Sequence, residues 1–256
     1  MFISPDPFVW VRDDILEEDF CDSAIAKFLE DDRRIVGACG DDASYKPTVK
    51  RSTDLYISMF PEWNDYDAVL SKALNTSIHE YKADLAQSLE LKFYPGGQEG
   101  YHAPSCINGE IIDTGYQMQE TKPGDWYDWH DDMMIDLKDL AERTLTFIWY
   151  LNDIHEGGCT EFMNGIKVQP RKGRMLLFPS TWCYIHRGAE LKGTENKYII
   201  TGWISRKHQL KPEEPKPEEP KLDDPVEDDE VEYTLDYNPP DDEVNSPFIL
   251  DETILK

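Results

Sequence analysis

The run Thr144-Leu-Thr-Phe-Ile-Trp-Tyr-Leu151 alternates with a period of two and carries no charge on either face. Leu145, Phe147, Trp149 and Leu151 share one side, while Thr144, Thr146, Ile148 and Tyr150 share the other. Strict alternation of this kind predicts a β-strand. The first face reads as packing and the second as the lining of a cavity. A later strand places Lys197, Ile199, Thr201 and Trp203 on one side, and a strand before it does the same with Trp182, Tyr184 and His186. These two, separated by Gly188 and Gly193, are predicted to form a hairpin with a longer loop. From about residue 90 onward the chain reads as strands and turns, with glycines as punctuation.

The first ninety residues differ. Phe20, Ala24 and Phe28 beside Cys21, Ile25 and Leu29 form adjacent rows at i, i+4 spacing, predicting an amphipathic helix over about 16–30. Val69, Leu70, Ala73, Leu74, Ile78, Tyr81 and Leu85 carry a second helical stripe over about 65–86, with Asn64 or Asp65 as the expected cap. Between them, Asp54-Leu-Tyr-Ile-Ser58 alternates as a short strand. The expected fold is therefore mainly β with N-terminal helices, of the α+β class, as a double-sheet jelly roll with helices packed against one sheet. There is no internal repeat.

Composition sets the boundaries. From His208 to the last residue the chain holds seventeen Asp or Glu against four Lys, with eight prolines. Such a segment has too little apolar surface to offset the entropy of ordering it. The reading is a supporting region over 1–90 and a jelly-roll core over 91–207 in one domain, followed by an acidic Pro-rich disordered tail over 208–256. The net charge of the whole chain is −26, so nucleic-acid phosphates and anionic membranes are repelled on average and neither is an expected partner. The five cysteines are scattered without a Cys-x-x-Cys pair, which indicates neither a disulfide framework nor a zinc ribbon. The first residues lack a signal-peptide pattern and no stretch has the length of an apolar span, so the expected location is cytoplasmic.

His130 and Asp132 stand two residues apart, and His186 lies in Ile185-His186-Arg187-Gly188. Residues i and i+2 of an extended segment point the same way, so one ion could be gripped by both while His186 arrives from another strand. Two histidines and one carboxylate are the facial triad that leaves positions open on non-haem ferrous iron. Asp131, one residue after His130, points to the opposite side.

These residues sit within an ordered series. Gly124, Tyr127, His130 and Asp132 precede Arg143 to Asp153, followed by Gly157-Gly158-Cys-Thr-Glu-Phe162. Gly173, Leu177-Phe-Pro-Ser180, His186-Arg-Gly188 and Lys197-Tyr-Ile-Ile-Thr-Gly-Trp203 complete it. Over about 114–206 the series resembles the prolyl 4-hydroxylase-like branch of the 2-oxoglutarate and Fe(II)-dependent dioxygenases, and Lys50-Arg-Ser-Thr-Asp54 is compatible with the family's looser N-terminal pattern. The resemblance implies a double-stranded β-helix core that binds Fe(II), 2-oxoglutarate and dioxygen, with L-ascorbate as reductant. It implies a metal held by His130, Asp132 and His186, and 2-oxoglutarate contacts from Lys197, Tyr150, Tyr127 and Thr201. It also implies that 2-oxoglutarate is oxidatively decarboxylated to succinate while a substrate, expected to be a peptidyl proline, is hydroxylated. The family also includes enzymes of small molecules, and a non-catalytic cupin-like binding module is the alternative from another class. Thr121 stands where the family commonly has a tyrosine; Tyr116 or Gln119 is a candidate to compensate, and Trp203 is a further pocket candidate. The glycine-rich stretch from Tyr94 to Gly109 is a candidate loop over the pocket.

Overall fold

The computed structural model describes residues 4–40, 44–89, 111–136 and 141–207. The stretch from Tyr94 to Gly109, His102 and the acidic segment from 208 onward lie outside the described residues. After β1 (Trp10–Arg12) comes α1 (Glu18–Glu30), then β2 (Ile35–Val36), β3 (Thr53–Tyr56) and α2 (Asn64–Ser88). The rest is strand: β4 (Ile111–Asp113), β5 (Gln117–Thr121), β6 (Tyr127–His130), β7 (Ile135–Asp136), β8 (Ala141–Tyr150), β9 (Thr160–Phe162), β10 (Lys167–Val168), β11 (Met175–Pro179), β12 (His186–Gly188) and β13 (Lys197–Lys207).

Two antiparallel sheets form the jelly roll. The larger runs β1-β11-β8-β13-β5-β3-β2, with β4 on β13 and β7 on β8, while the smaller runs β10-β9-β12-β6. The alternation in β8 divides as its sequence demands. Leu145, Phe147, Trp149 and Leu151 pack with Phe28 of α1 and with Leu70, Leu74, Ile78, Tyr81 and Leu85 of α2, whereas Ile148 and Tyr150 join Phe162, Val168 and Phe178 between the sheets. Helices thus cover the outer face of one sheet, and the inner face looks into the roll.

Three local expectations are corrected. The helix α2 already includes Asn64 and Asp65, so neither caps it; Trp63 is at its N-cap, with no side-chain capping bond. Trp182, Tyr184 and His186 do not share a strand, because Trp182–Tyr184 is a turn of 3₁₀ helix and β12 begins only at His186. Nor do β12 and β13 form a hairpin: the connection carries the chain from the smaller sheet to the larger one. Strand pairing is decided by partners distant in sequence, which the local turn residues do not encode.

Gly202 shows how tight the outer layer is. A Cβ there would stand 2.5 Å from the Phe147 ring and 2.5 Å from the Gly115 carbonyl oxygen, so the aromatic plate and the turn can approach β13 only at a residue without a side chain. Phe147 is fully buried and packs against Tyr116 and Trp149. We expect Phe147→Ala to cost about 3–5 kcal/mol, the usual penalty for removing a buried ring and leaving a cavity. Urea unfolding followed by tryptophan fluorescence measures it; a loss below about 1 kcal/mol would contradict this packing.

Candidate metal centre

The antiparallel pairing of β6 with β12 sets His130 directly opposite His186. Asp132 follows two residues beyond the first, just past the end of β6, and the ligand atoms of the three residues lie within 4.8 Å of one another. Asp132 Oδ1 is 3.7 Å from His130 Nε2, and its Oδ2 is 3.6 Å from His186 Nε2. Among the described residues no further imidazole, thiol or carboxylate joins the cluster, and His155 is exposed. Asp131 turns elsewhere, accepting the Met133 backbone N–H.

Each donor is held by a partner of its own. His130 Nδ1–H donates to the Asp128 carbonyl at 2.7 Å and His186 Nδ1–H to the Tyr184 carbonyl at 3.1 Å, which leaves both Nε2 lone pairs facing inward. Tyr127 stacks on His130 with ring centroids 3.6 Å apart, and Phe178 meets His186 edge-on. Asp132 Oδ2 accepts a hydrogen bond from Thr146 at 2.8 Å, and that hydroxyl is itself 2.9 Å from Ser180. Burial opposes ionisation of Asp132, but the two imidazoles and the Thr146 hydroxyl outweigh it and hold the carboxyl below its ordinary range. Burial, reinforced by His186, pushes His130 down to about 4, so its imidazole is neutral at physiological pH. A neutral imidazole and an ionised carboxylate are the protonation states that ligation of a divalent cation requires. The donor set fits a hard-to-borderline cation such as Fe(II) and, with three donors, leaves coordination positions open.

The cluster lies in the wall of a cavity of about 320 Å³. The inner face of β13 lines it with Lys197, Ile199, Thr201 and Trp203, the four residues whose shared side the sequence predicted. Lys197 is 5% exposed, and its ammonium has one hydrogen bond among the described residues, to the Gly158 carbonyl at 3.1 Å. Burial without a carboxylate partner pushes it down to about 8. Thr121 is its direct neighbour across β5 and β13 and also faces the cavity. Thr201 is present, but its hydroxyl donates to the Phe147 carbonyl at 2.8 Å. Tyr150 is fully buried behind the wall, 2.7 Å from the hydroxyl of Thr160, which does reach the cavity. Trp203 is turned toward Asp132, although its indole N–H closes no hydrogen bond of good geometry.

Tyr116, like Tyr150, is not among the residues that line the cavity, and it lies on the other side of its sheet. Gln117, Gln119 and Thr121 face the cavity, whereas Tyr116 and Met118 face the helices, so Gln119 and not Tyr116 stands beside the site. The parity of β5 held that answer. Sequence reasoning missed Thr146 and Ser180 as the support of Asp132, and it missed a second wall in which Lys50 and Asp54 pair at 2.8 Å beneath the Tyr127 ring.

A two-sheet roll with an open cluster of two imidazoles and one carboxylate defines the class of non-haem, metal-binding jelly-roll proteins. Residues 116–205 match the family model of the 2OG-Fe(II) oxygenase superfamily, and over that stretch the chain resembles that superfamily. No curated protein sequence matches it. Among solved structures it is similar to a viral collagen prolyl hydroxylase of Paramecium bursaria Chlorella virus-1, at 19% identity over 77% of this chain and 96% of that one, with a TM-score of 0.54. A Trichoplax adhaerens prolyl hydroxylase, solved in complex with a hypoxia inducible factor peptide fragment, gives 0.57 at 16% identity over 78% and 84%. A Pseudomonas putida prolyl-4-hydroxylase gives 0.50 at 17% identity over 78% and 93%. At these identities the likeness is one of fold. The family implies Fe(II), 2-oxoglutarate and dioxygen, and no described helix is long and apolar enough to cross a membrane.

Proposed function

We propose that the protein is an Fe(II)- and 2-oxoglutarate-dependent dioxygenase that hydroxylates a peptidyl proline, with His130, Asp132 and His186 as the metal ligands. The observation that carries this reading is Lys197: a buried ammonium with no carboxylate partner among the described residues, set in the wall of the cavity that holds the open triad. Burying an unpaired cation is costly. The cost is accounted for if an anionic cosubstrate completes the pair.

When bound, iron, 2-oxoglutarate and dioxygen would supply the oxidising chemistry, in which the oxo-acid loses carbon dioxide and takes one oxygen atom to become succinate while the other oxygen atom passes to the substrate. The chain supplies position. The Asp128 and Tyr184 carbonyls and the Tyr127 ring fix the imidazoles, and Thr146 with Ser180 fixes the carboxylate. Lys197 holds the far carboxylate of 2-oxoglutarate, with Thr121 beside it and the Tyr150–Thr160 hydroxyl pair in the adjoining wall. The neighbour solved with a peptide fragment supports a peptide as the substrate class.

Incubation of the protein with Fe(II), 2-oxoglutarate, ascorbate and air should give succinate in step with a gain of one oxygen atom by a prolyl peptide, read by mass spectrometry. Absence of succinate, together with no anaerobic Fe(II)–2-oxoglutarate charge-transfer band, would return the protein to the class of metal-binding modules.

A further inference from the structure

Gly188 is a glycine that the fold does not ask for. Its φ lies outside the left-handed region, so the backbone there would accept a residue with a side chain. A Cβ built on it would meet the Cβ of Tyr127 at 3.5 Å, an ordinary van der Waals contact. The same atom would collide at 2.5 Å on Gly202 and at 2.1 Å on Gly37. Neither strain nor packing therefore accounts for the missing side chain at 188, and the space it leaves belongs to the cavity.

The neighbours say what that space is for. In the smaller sheet Gly188 lies between Thr160 of β9 and Tyr127 of β6. The ladder with β6 is irregular: His186 pairs with His130, but Gly188 pairs with Tyr127, three residues before it. Bulges of this kind re-aim side chains. Here Tyr127 comes to the side of His130 and its ring stacks there, which draws it to the metal end and leaves Gly188 partly open. The remaining neighbour is the Lys197 ammonium, 3.8 Å from the built Cβ. Other residues about that ammonium are short as well. Gly158 accepts its hydrogen bond at 3.1 Å, Thr121 is its neighbour across the strands, and Thr160 keeps its hydroxyl on Tyr150.

Length follows from the strand. His186 and Gly188 are two residues apart, about 6.6 Å along β12. An oxo-acid that chelates the metal and reaches Lys197 lies along this stretch. The terminal carbons of 2-oxoglutarate are about 5 Å apart when extended, and a further methylene adds about 1.3 Å. In a pocket that closes on its ligand, one methylene changes affinity about 10- to 200-fold. Two glycines and two threonines do not close on it, and the lysine stem is flexible enough to draw back.

We propose that this end of the cavity takes the six-carbon 2-oxoadipate as well as 2-oxoglutarate, and that Gly188 sets the length limit. The inference rests on the dioxygenase reading, with Lys197 as the carboxylate anchor. Anaerobic titration of the Fe(II)-loaded full chain with each oxo-acid, followed by the visible band, gives the two affinities. Wild type should bind 2-oxoadipate within about tenfold of 2-oxoglutarate, and Gly188→Ala should weaken 2-oxoadipate at least tenfold more than 2-oxoglutarate. The same variant should keep its Fe(II) affinity and melt no lower than wild type, because alanine at a permitted φ restricts the unfolded chain. Four results overturn the proposal: wild type that binds 2-oxoglutarate but disfavours 2-oxoadipate by more than tenfold, an unchanged ratio in Gly188→Ala, loss of its iron binding, or a lower melting temperature. Binding of neither oxo-acid by wild type would overturn the dioxygenase reading and this inference with it.

Discussion

Asp132→Ala is expected to abolish the anaerobic visible band formed with Fe(II) and 2-oxoglutarate, and to weaken Fe(II) affinity by at least a hundredfold. Asp132 supplies the cluster's single formal negative charge and is held in place by Thr146. Its loss leaves two imidazoles alone, which bind a divalent cation far less firmly than a set that includes a carboxylate. Thr146→Val tests the support separately. Removing an outer-shell partner commonly costs 10- to 100-fold in metal affinity or activity, so this variant should fall between wild type and Asp132→Ala. Equal iron affinity in wild type and Asp132→Ala, by titration under nitrogen, would show that the triad is not the metal site.

The legible parts of this molecule are those set by short-range periodicity. The faces of β8 and β13 could be read from alternation because side chains in a strand have a period of two, and the stripe of α2 because helical rows repeat at three and four. The pairing of His130 and Asp132 was legible for the same reason. What stayed hidden depended on partners far along the chain. Nothing near His186 says that β12 belongs to the smaller sheet, and nothing near Ser180 says that its hydroxyl meets Thr146 across β11 and β8. Arg143 is the sharpest instance. Parity sends it to the helices, and only the bulge against Ile204 and Ser205 turns it into the cavity. Tyr116 is the reverse case, since the parity of β5 excludes it from the pocket and needed only to be applied.

Lys197→Met should move two properties in opposite directions. A buried ammonium whose pKa falls from an ordinary 10.5 to about 8 burdens the fold: the penalty is fully present below pH 8, where both folded and unfolded chains are protonated, and disappears above 10.5, where both are neutral. The shift corresponds to roughly 3 kcal/mol, so the methionine variant without ligand should unfold at higher temperature than wild type at pH 7, with the difference shrinking as pH rises. The same variant should lose about a hundredfold in 2-oxoglutarate affinity, because the far carboxylate then enters a buried wall with no cation to meet it. Wild-type affinity should be flat between pH 6 and about 7.5 and weaken by up to tenfold per unit above about 8, since the unliganded lysine must first be protonated to bind the anion. Anaerobic titration of the visible band against pH reads this directly, and thermal unfolding reads the other half. A variant that is destabilised and still binds 2-oxoglutarate normally would make Lys197 a structural residue and leave the cosubstrate's anchor to be sought elsewhere in the cavity.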